Sequence, residues 1–314
     1  MEKVKVSVIM GTYNEKIQWV EECINSILTQ TYKNIEFIIV LDNPNNEELK
    51  KYIENVQKQD SRIVVVKNEE NLGLVKTLNK ALNYCTGDLI ARMDADDIAL
   101  KNRFSIQVKF MEENKDVAMV GTKVEFIDGN GRGLSKDKYR PTSYEEIKSH
   151  LRHGNAFAHP TLMYRKDMIM DIGGYKEVPL AEDYYLATEV ITKGYKVANL
   201  EETLLMYRVR EGGISKENKE KQFLVSQYIK QIYNKNLKGD NCEFDNTELE
   251  NILKNEDLLK NTERYLMIVE KLEEKFSANN IFRLLCFSFK SKYNFNLVYG
   301  KLSAIAKRKL VKVG

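Results

Sequence analysis

The stretch LIARMDADDIALKNRF (89–104) joins an apolar run, typical of a buried strand, to three carboxylates at Asp94, Asp96 and Asp97. Three acids this close together repel one another. One of them could cap the following helix, because Asp is a favoured N-cap residue, but the other two would remain without a role. A Mg²⁺ or Mn²⁺ ion would explain them, since carboxylate oxygens suit these cations and open coordination positions accept phosphate oxygens. The stretch therefore predicts a strand that ends at a cation and phosphate site.

The N-terminal third of the chain alternates strand and helix patterns around this stretch. The predicted strands are 4–10, 35–42, 62–68 and 87–94, and the predicted helices are 16–30, 46–59 and 73–85. Short strands separated by helices favour right-handed crossovers and a parallel sheet covered on both faces. Ligands of such sheets bind at the carboxyl ends of the strands. Polar residues follow these ends, namely 11–15, Asp42, Asn43, Asn68 and the acidic cluster.

Composition restricts the class of protein. The 314 residues are 43% hydrophobic and 30% charged, with a net charge of +3, so the chain predicts a globular protein and does not by itself indicate a nucleic-acid partner. Four cysteines without CxxC spacing argue against a zinc site and a disulfide framework, and favour a reducing, cytoplasmic location. No apolar run approaches the length of a signal-peptide core or a membrane span. The expectation is neither a secreted nor an integral membrane protein.

Five motifs together carry a family resemblance. They are VSVIMGTYNE (6–15), NLGLVKTLNKAL (71–82), ARMDADD (91–97), HPTLMYRK (159–166) and AEDYYL (181–186). In this order and spacing the chain resembles the family 2 glycosyltransferases over about residues 4 to 215. The resemblance implies an α/β GT-A fold with a Rossmann-like, mainly parallel sheet, and an inverting enzyme that uses a nucleotide-sugar donor. It implies a catalytic domain at 1–215, followed by a helical, basic region at 216–314.

The resemblance also implies which residues contact the donor nucleotide. They are Thr12, Tyr13, Asn14, Glu15, Asp42, Lys76, Asp94 and Ala95. Asp42 would accept a hydrogen bond from the uracil N–H. The alternative for Asn14 is a helix cap, because it precedes a helical segment. The alternative for Lys76 is a solvated surface lysine.

Metal binding and proton transfer are implied at two acidic motifs. Asp96 would bind the Mn²⁺ or Mg²⁺ ion that bridges the donor phosphates, whereas Asp97 is left open between this site and a helix cap. Asp183 would be the general base that takes the proton of the acceptor hydroxyl, and Glu182 would orient the acceptor or a neighbouring loop. The alternative is that both acids start a helix, because acidic residues favour helix N-termini.

Three further residues are candidates for contact with the diphosphate or the acceptor. They are His159, Arg208 and Arg210. Many relatives carry a histidine where Arg210 stands here, and an arginine binds phosphate but does not ligate metal. This departure puts a third protein ligand of the metal in doubt. The loop after Asp42, which reads NPNNEE, is a second departure from the family pattern.

The C-terminal region combines basic and aromatic residues, and no acidic residue follows Glu274. Such a composition suits the anionic inner face of a membrane. The alternatives are helices packed on the catalytic domain with a solvated basic face, or an oligomer contact. Membrane contact would fit a lipid-linked acceptor, which is implied by the resemblance alone.

The leading hypothesis is therefore a hexosyl- or N-acetylhexosaminyltransferase. It would move a sugar from a UDP-sugar to a saccharide hydroxyl in the synthesis of capsule or another bacterial surface polysaccharide. A dehydrogenase is disfavoured because the first strand–helix turn, GTYNEK (11–16), lacks GxGxxG. A nucleotide-sugar or polysaccharide-binding module without activity is the main alternative. Nucleic-acid binding through the basic tail is disfavoured, because no recognised module accompanies it.

Overall fold

One mixed sheet organises the N-terminal part of the protein. The structure, a computed structural model, describes residues 4–137, 139–210, 218–274, 277–288, 294, 297–299 and 301–302. The strands of the sheet are β1 Val6–Thr12, β2 Ile35–Leu41, β3 Ile63–Lys67, β4 Leu89–Arg92, β5 Ile98–Ala99, β6 Val117–Ile127, β7 Gly133–Lys136, β8 Met163–Arg165 and β9 Lys196–Arg208. Their order is β3-β2-β1-β4-β8-β6-β9-β5, with β7 paired to β6.

The helices between these strands fit the predicted pattern. They are α1 Ile17–Leu28, α2 Glu47–Gln59, α3 Leu74–Leu82, α4 Arg103–Glu113, α5 Tyr144–His150, α6 Lys166–Asp171, α7 Glu182–Thr192, α8 Lys219–Asn236, α9 Asn246–Lys254, α10 Glu256–Glu274 and α11 Ala278–Ser288. The strands and helices predicted in the N-terminal third are confirmed, with ends that differ by no more than three residues. Such differences are expected at element ends, where hydrogen bonding frays.

The parallel half of the sheet positions the predicted ligand site. β1 pairs in parallel with β2 on one side and with β4 on the other, and β2 pairs in parallel with β3. All seven residues of β2 are buried, as expected for a strand covered on both faces. Because the chain returns past β1 after β3 to form β4, the strand order reverses between β1 and β4. The carboxyl ends at such a reversal border the ligand crevice of open α/β sheets.

The second half of the sheet is mixed and was not predicted in detail. β8 is antiparallel to β4 and to β6, β9 is parallel to β6, and β5 is antiparallel to β9. The last pairing places Ile98 opposite Met206. As a result, the acidic segment before Ile98 lies beside the end of β9.

The chain divides into two compact units. The first comprises Met1–Glu217 with Ile229–Cys242, and the second comprises Asn218–Tyr228 with Glu243–Gly314. The second half of α8 belongs to the first unit, where the Tyr233 hydroxyl donates to the Lys148 carbonyl at 3.1 Å. The functional division at 215/216 that the sequence predicts stays a prediction.

The second unit has a small core of its own. It includes Tyr265, Leu272, Leu284 and Phe287, on α10 and α11. None of the helices within the described ranges combines the length and the apolar character needed to span a bilayer. Much of the predicted basic surface lies outside the described residues, including Lys290, Lys292, Lys307, Arg308, Lys309 and Lys312.

Candidate active site

Glu15 organises the loop that follows β1. Its Oε2 accepts hydrogen bonds from the Thr12 hydroxyl at 2.7 Å and from the Tyr13 backbone N–H at 2.8 Å. Tyr13 itself is 40% exposed at the strand end. The two predicted donor contacts Thr12 and Tyr13 are therefore held in place by a third, Glu15, so the carboxylate shapes this loop.

Asn14 connects the loops that follow β1 and β2. Its Oδ1 accepts from Asn43 Nδ2 at 2.6 Å and from Asn46 Nδ2 at 3.3 Å. The helix-cap alternative for Asn14 is wrong, because Lys16 occupies the cap position of α1 without a side-chain hydrogen bond. Asn14 instead connects two strand ends that border the crevice.

Asp42 is buried at the end of β2 and anchors the loop before α3. Its Oδ1 accepts from Asn68 Nδ2 at 2.6 Å and from the Leu72 N–H at 2.8 Å, while Oδ2 accepts from the Gly73 N–H at 3.0 Å. Gly73 has a φ of +79°, which favours glycine at this position. Since each carboxylate oxygen can accept two hydrogen bonds, Oδ2 retains one acceptor position for a base N–H.

Lys76 lies in the first turn of α3 and is exposed. Its Nζ is 3.7 Å from Glu177 Oε2, and both side chains are more than half exposed. An ion pair of this kind contributes little to stability. The contact of Lys76 with the donor stays a prediction, and its exposure leaves the ammonium free to move.

Two of the three acids of the opening stretch form ion pairs with arginines, and the third accepts a backbone hydrogen bond. Asp94 contacts Arg92 Nη1, and Asp96 Oδ2 lies 2.6 Å from Arg210 Nε. Asp97 Oδ1 accepts the backbone N–H of Arg208 at 2.8 Å. The cap alternative for Asp97 is wrong, because β5 intervenes and α4 begins only at Arg103.

Burial and mutual repulsion set the charge state of this segment. Burial, together with the charge of Asp94, raises the pKa of Asp96 to about 6, against the opposing effect of Arg210. Burial and the two neighbouring acids raise the pKa of Asp97 well above its usual range. Ala95, which lies between Asp94 and Asp96 in the sequence, is only 3% exposed. Arg210 at Asp96 and Arg92 at Asp97 oppose these rises in pKa, so the arginines offset part of the cost of ionising the cluster.

Arg208 anchors the acidic segment through side-chain hydrogen bonds. Its guanidinium donates to the carbonyls of Asp96 (2.7 Å), Asp128 and Gly129 (both 3.2 Å), and to Glu22 Oε2 (2.5 Å). The side chain is 1% exposed. With its donors directed at protein acceptors, Arg208 differs from the expectation of a direct diphosphate or acceptor contact and acts as a positioning residue for the acidic segment.

We expect Arg208→Met to lower the free energy of unfolding by about 1–3 kcal/mol, because the Glu22 carboxylate loses its ion pair and the buried Asp96 carbonyl loses its hydrogen bond. Urea unfolding followed by circular dichroism measures this loss. The matched control is Arg152→Met, since Arg152 makes one exposed hydrogen bond to Asn234. Equal stability of the two variants would contradict a structural role for Arg208.

The donor set at the acidic segment suits a cation that is shared with phosphate. Within the described ranges, no three His, Cys, Asp or Glu side chains are grouped to hold a metal ion. Asp96, together with Asp94 two residues earlier in the sequence, can supply carboxylate oxygens and leave coordination positions open, as Mg²⁺ sites that bind substrate phosphates do. The residues therefore fit a cation that binds together with a diphosphate, provided that Arg210 leaves Asp96.

Glu182 and Asp183 lie in the first turn of α7, as predicted from their favourable position at a helix start. Asp183 Oδ2 accepts from Asn155 Nδ2 at 2.7 Å, and Oδ1 accepts from the Tyr184 N–H at 2.7 Å. Burial raises the pKa of Asp183 to about 6, although these hydrogen bonds and the Arg92 charge oppose the rise. A carboxylate with such a pKa is ionised at neutral pH and can accept a proton.

His159 packs beside Glu182 in the buried wall of the site. Its Nδ1 is 4.0 Å from Glu182 Oε1, and its Nε2 is 3.0 Å from the Tyr175 hydroxyl. Burial and the Arg92 charge lower the pKa of His159 well below its usual range, so the imidazole is neutral at pH 7. Burial and the charge of Asp183 raise the pKa of Glu182 to about 7. A direct contact of His159 with the diphosphate or the acceptor stays a prediction.

Arg92 was not predicted from the sequence as a residue of the site. Its side chain is 1% exposed, and its buried Nε and Nη1 make no hydrogen bond to the described residues, although Nη1 contacts Asp94. Burial opposes its charge, but the charge of Asp94 raises the pKa of Arg92 overall. Arg92 also lowers the pKa values of Glu182 and Asp183, so one buried cation acts on both acidic groups. An arginine that ends the apolar strand LIAR (89–92) was the available signal.

Comparison with known proteins identifies the family of this chain. The family model described as "Glycosyl transferase family 2" matches residues 7–173. The chain is 35% identical over 214 residues to the O-antigen biosynthesis glycosyltransferase WbnJ of Escherichia coli, which covers 67% of this chain and 82% of that protein. It is 32% identical over 222 residues to the UDP-Gal:alpha-D-GlcNAc-diphosphoundecaprenol beta-1,3-galactosyltransferase of E. coli, with 67% and 78% covered.

A solved structure shares the architecture. The chain is similar to the crystal structure of S. aureus TarS 1-349 in complex with UDP-GlcNAc, with a TM-score of 0.61 and 20% identity. The likeness covers 90% of this chain and 80% of the TarS chain. At this identity it is evidence about the fold.

Proposed function

The chain belongs to glycosyltransferase family 2, and from this premise we propose that it moves a sugar from a UDP-sugar to a hydroxyl of a saccharide acceptor, with inversion, in the synthesis of a bacterial surface polysaccharide. The predicted GT-A fold is confirmed by the sheet topology and the likeness to TarS. A hexose and an N-acetylhexosamine both remain candidates for the transferred sugar.

The observation that carries the proposal is that two acidic groups share one buried cation, since Arg92 contacts Asp94 and its charge also acts on Glu182 and Asp183. The buried pair Glu182 and Asp183 has pKa values raised to about 7 and about 6, and the charge of Asp94 contributes to the rise at Glu182. The pair Glu182 and Asp183 suits a proton acceptor, whereas the acidic segment with Asp94 and Asp96 suits a cation with its diphosphate. This division of tasks fits transfer from a nucleotide-sugar.

The proton chemistry follows from the position of Asp183. Its carboxylate takes the proton of the acceptor hydroxyl while that oxygen forms a bond to the anomeric carbon on the face opposite the leaving group. The bond between the anomeric carbon and the diphosphate oxygen breaks, and its electron pair leaves with UDP. Asn155 and the Tyr184 N–H fix the orientation of the base. A bound Mn²⁺ or Mg²⁺ ion at Asp96 would supply Lewis-acid stabilisation of the leaving diphosphate.

Support for the UDP donor comes from two sources. The E. coli galactosyltransferase is named for UDP-Gal, and TarS was solved with UDP-GlcNAc. In this chain, Asp42 Oδ2 retains an acceptor position for a base N–H. These features favour a uracil nucleotide at the crevice between β1 and β4.

A lipid-linked acceptor is part of the proposal. It is supported by the name of the E. coli galactosyltransferase, whose acceptor is a diphosphoundecaprenol derivative. In the second unit, Met267 and Phe282 are exposed and line a cleft together with Arg264, Lys271 and Arg283. Apolar and basic side chains in this combination support peripheral contact with an anionic membrane at the cytoplasmic face. Oligomerisation through this region stays a prediction.

We expect UDP to raise the melting temperature of the protein in the presence of Mn²⁺, because a ligand that binds the folded state stabilises it. A thermal-shift panel of UDP, GDP, dTDP, CMP and NAD, each with and without Mn²⁺, measures this effect. A Mn²⁺-dependent shift with UDP then directs a turnover screen of UDP-sugars. A shift with another nucleotide would change the donor, and the absence of any shift would contradict the proposal.

The alternative of a binding module without activity makes a different prediction. Such a module would bind UDP and show no turnover with any UDP-sugar and acceptor. Both the Asp96 carboxylate and a hydrogen-bonded Asp183 are present, which favours the enzyme.

A further inference from the structure

Arg210 forms an ion pair with Asp96, the carboxylate that the proposed cation needs. Its Nε lies 2.6 Å from Asp96 Oδ2, and its Nη1 lies 3.9 Å from Glu15 Oε1. The side chain of Asp96 is 8% exposed, whereas that of Arg210 is 37% exposed. The guanidinium is therefore the more exposed partner, and it neutralises a buried carboxylate.

A divalent cation and this guanidinium exclude one another at the same oxygen. Mg²⁺ binds carboxylate oxygens at about 2.0–2.1 Å and needs an open direction of approach. The guanidinium 2.6 Å from Oδ2 blocks that direction, and its positive charge repels the ion. Asp96 can thus bind either Arg210 or the cation through this oxygen.

Arg210 can leave, whereas Arg208 cannot. Arg208 is 1% exposed and donates to four protein acceptors. Arg210 lies beyond the end of β9, its side chain is 37% exposed, and its guanidinium lies 5.9 Å from the centre of the Trp19 ring. Once displaced, a guanidinium is well suited to a diphosphate, because its planar fork matches phosphate oxygens.

We propose that Arg210 and the divalent cation are alternative occupants of Asp96, so that Arg210 holds this carboxylate in the free enzyme and passes to the donor diphosphate when the cation binds. The inference rests on the proposed function, because it takes the diphosphate as the group that receives Arg210. The exchange makes cation binding weak without nucleotide and strong with it, which is a positive coupling between the two ligands.

The test measures Mn²⁺ binding by the loss of the free Mn²⁺ electron paramagnetic resonance signal, with the full chain, first without nucleotide and then with UDP. We expect Arg210→Gln to bind Mn²⁺ about tenfold or more tightly than the wild type without nucleotide, since a competing charge is gone. We expect UDP to strengthen Mn²⁺ binding less in Arg210→Gln than in the wild type.

Three further variants locate the effect. Arg210→Lys retains the positive charge, so its Mn²⁺ affinity without nucleotide is expected to stay close to that of the wild type. Arg152→Gln, a surface arginine that bonds Asn234, is expected to leave Mn²⁺ affinity unchanged. Adding Asp96→Asn to Arg210→Gln is expected to abolish the gained affinity. A gain that survives Asp96→Asn would overturn the proposal, because the ion would then bind elsewhere.

Unchanged or weaker Mn²⁺ binding in Arg210→Gln would also overturn it. Failure of this inference is distinguishable from failure of the proposed function. If the wild type turns over a UDP-sugar in excess chelator and binds no Mn²⁺ with UDP, the exchange is wrong and the transferase stands. If the wild type does not bind UDP at all, the proposed function itself fails.

Discussion

Asp183→Asn is expected to lower kcat by about 10²–10⁴-fold, which is the range of a positioned general base. The amide has the shape of the carboxylate and can still accept a hydrogen bond from Asn155 Nδ2 or from the Tyr184 N–H. It cannot take the proton of the acceptor hydroxyl. UDP affinity is expected to change by about twofold or less, since the loss affects the reaction step rather than donor binding. Turnover kinetics and UDP titration of the same preparation measure the two effects.

Glu182→Gln is the matched control for this variant. It removes the neighbouring carboxylate in the same helical turn, so we expect a smaller loss of kcat and a change in KM for the acceptor. A near wild-type kcat in Asp183→Asn, together with a large loss in Glu182→Gln, would move the base to Glu182.

The pH dependence of the wild type provides an independent check on the base. Burial raises the pKa of Asp183 to about 6, so its ionised form predominates above that pH and is lost as the pH falls through it. Activity is therefore expected to decline on the acidic side near pH 6. Because Glu182 and Asp183 interact, the profile reports the pair rather than one residue. A flat profile down to pH 4.5 in folded protein would contradict this assignment.

Asp96→Asn is expected to have the second large effect, with a loss of turnover of about 10²–10³-fold, as found when one group that stabilises developing charge is removed. In this variant Mn²⁺ should no longer improve UDP binding, because the carboxylate that would ligate the cation is absent. Calorimetric titration with UDP, with and without Mn²⁺, measures the coupling. Asp116→Asn is the control, since Asp116 forms an exposed ion pair with Lys196. A Mn²⁺ effect on UDP binding equal to that of the wild type would place the cation elsewhere.

The sequence by itself determined the parallel half of the sheet and the location of the crevice. The strands and helices from β1 to β4 follow from apolar runs and helical spacing, which are local properties. Their polar ends, including Asp42 and Asp94, then meet because parallel strands present their carboxyl ends at one edge. The presence of Glu182 and Asp183 at a helix start could also be predicted, from the motif and from the preference of acids for that position.

Only the tertiary structure decided which partners these residues have. Arg92 was missed because a single arginine in an apolar strand gives no local sign that its charge will act on two acidic groups. The cap roles that were the alternatives for Asn14 and Asp97 are wrong, and the partners of these residues, Asn43 and Arg208, come from other loops and strands. The pairing of Arg210 with Asp96 depends on β5 lying antiparallel to β9, which places distant parts of the chain side by side. Local pattern fixes an element and its polar end, whereas the charge that faces a carboxylate is set by the packing of elements remote in sequence.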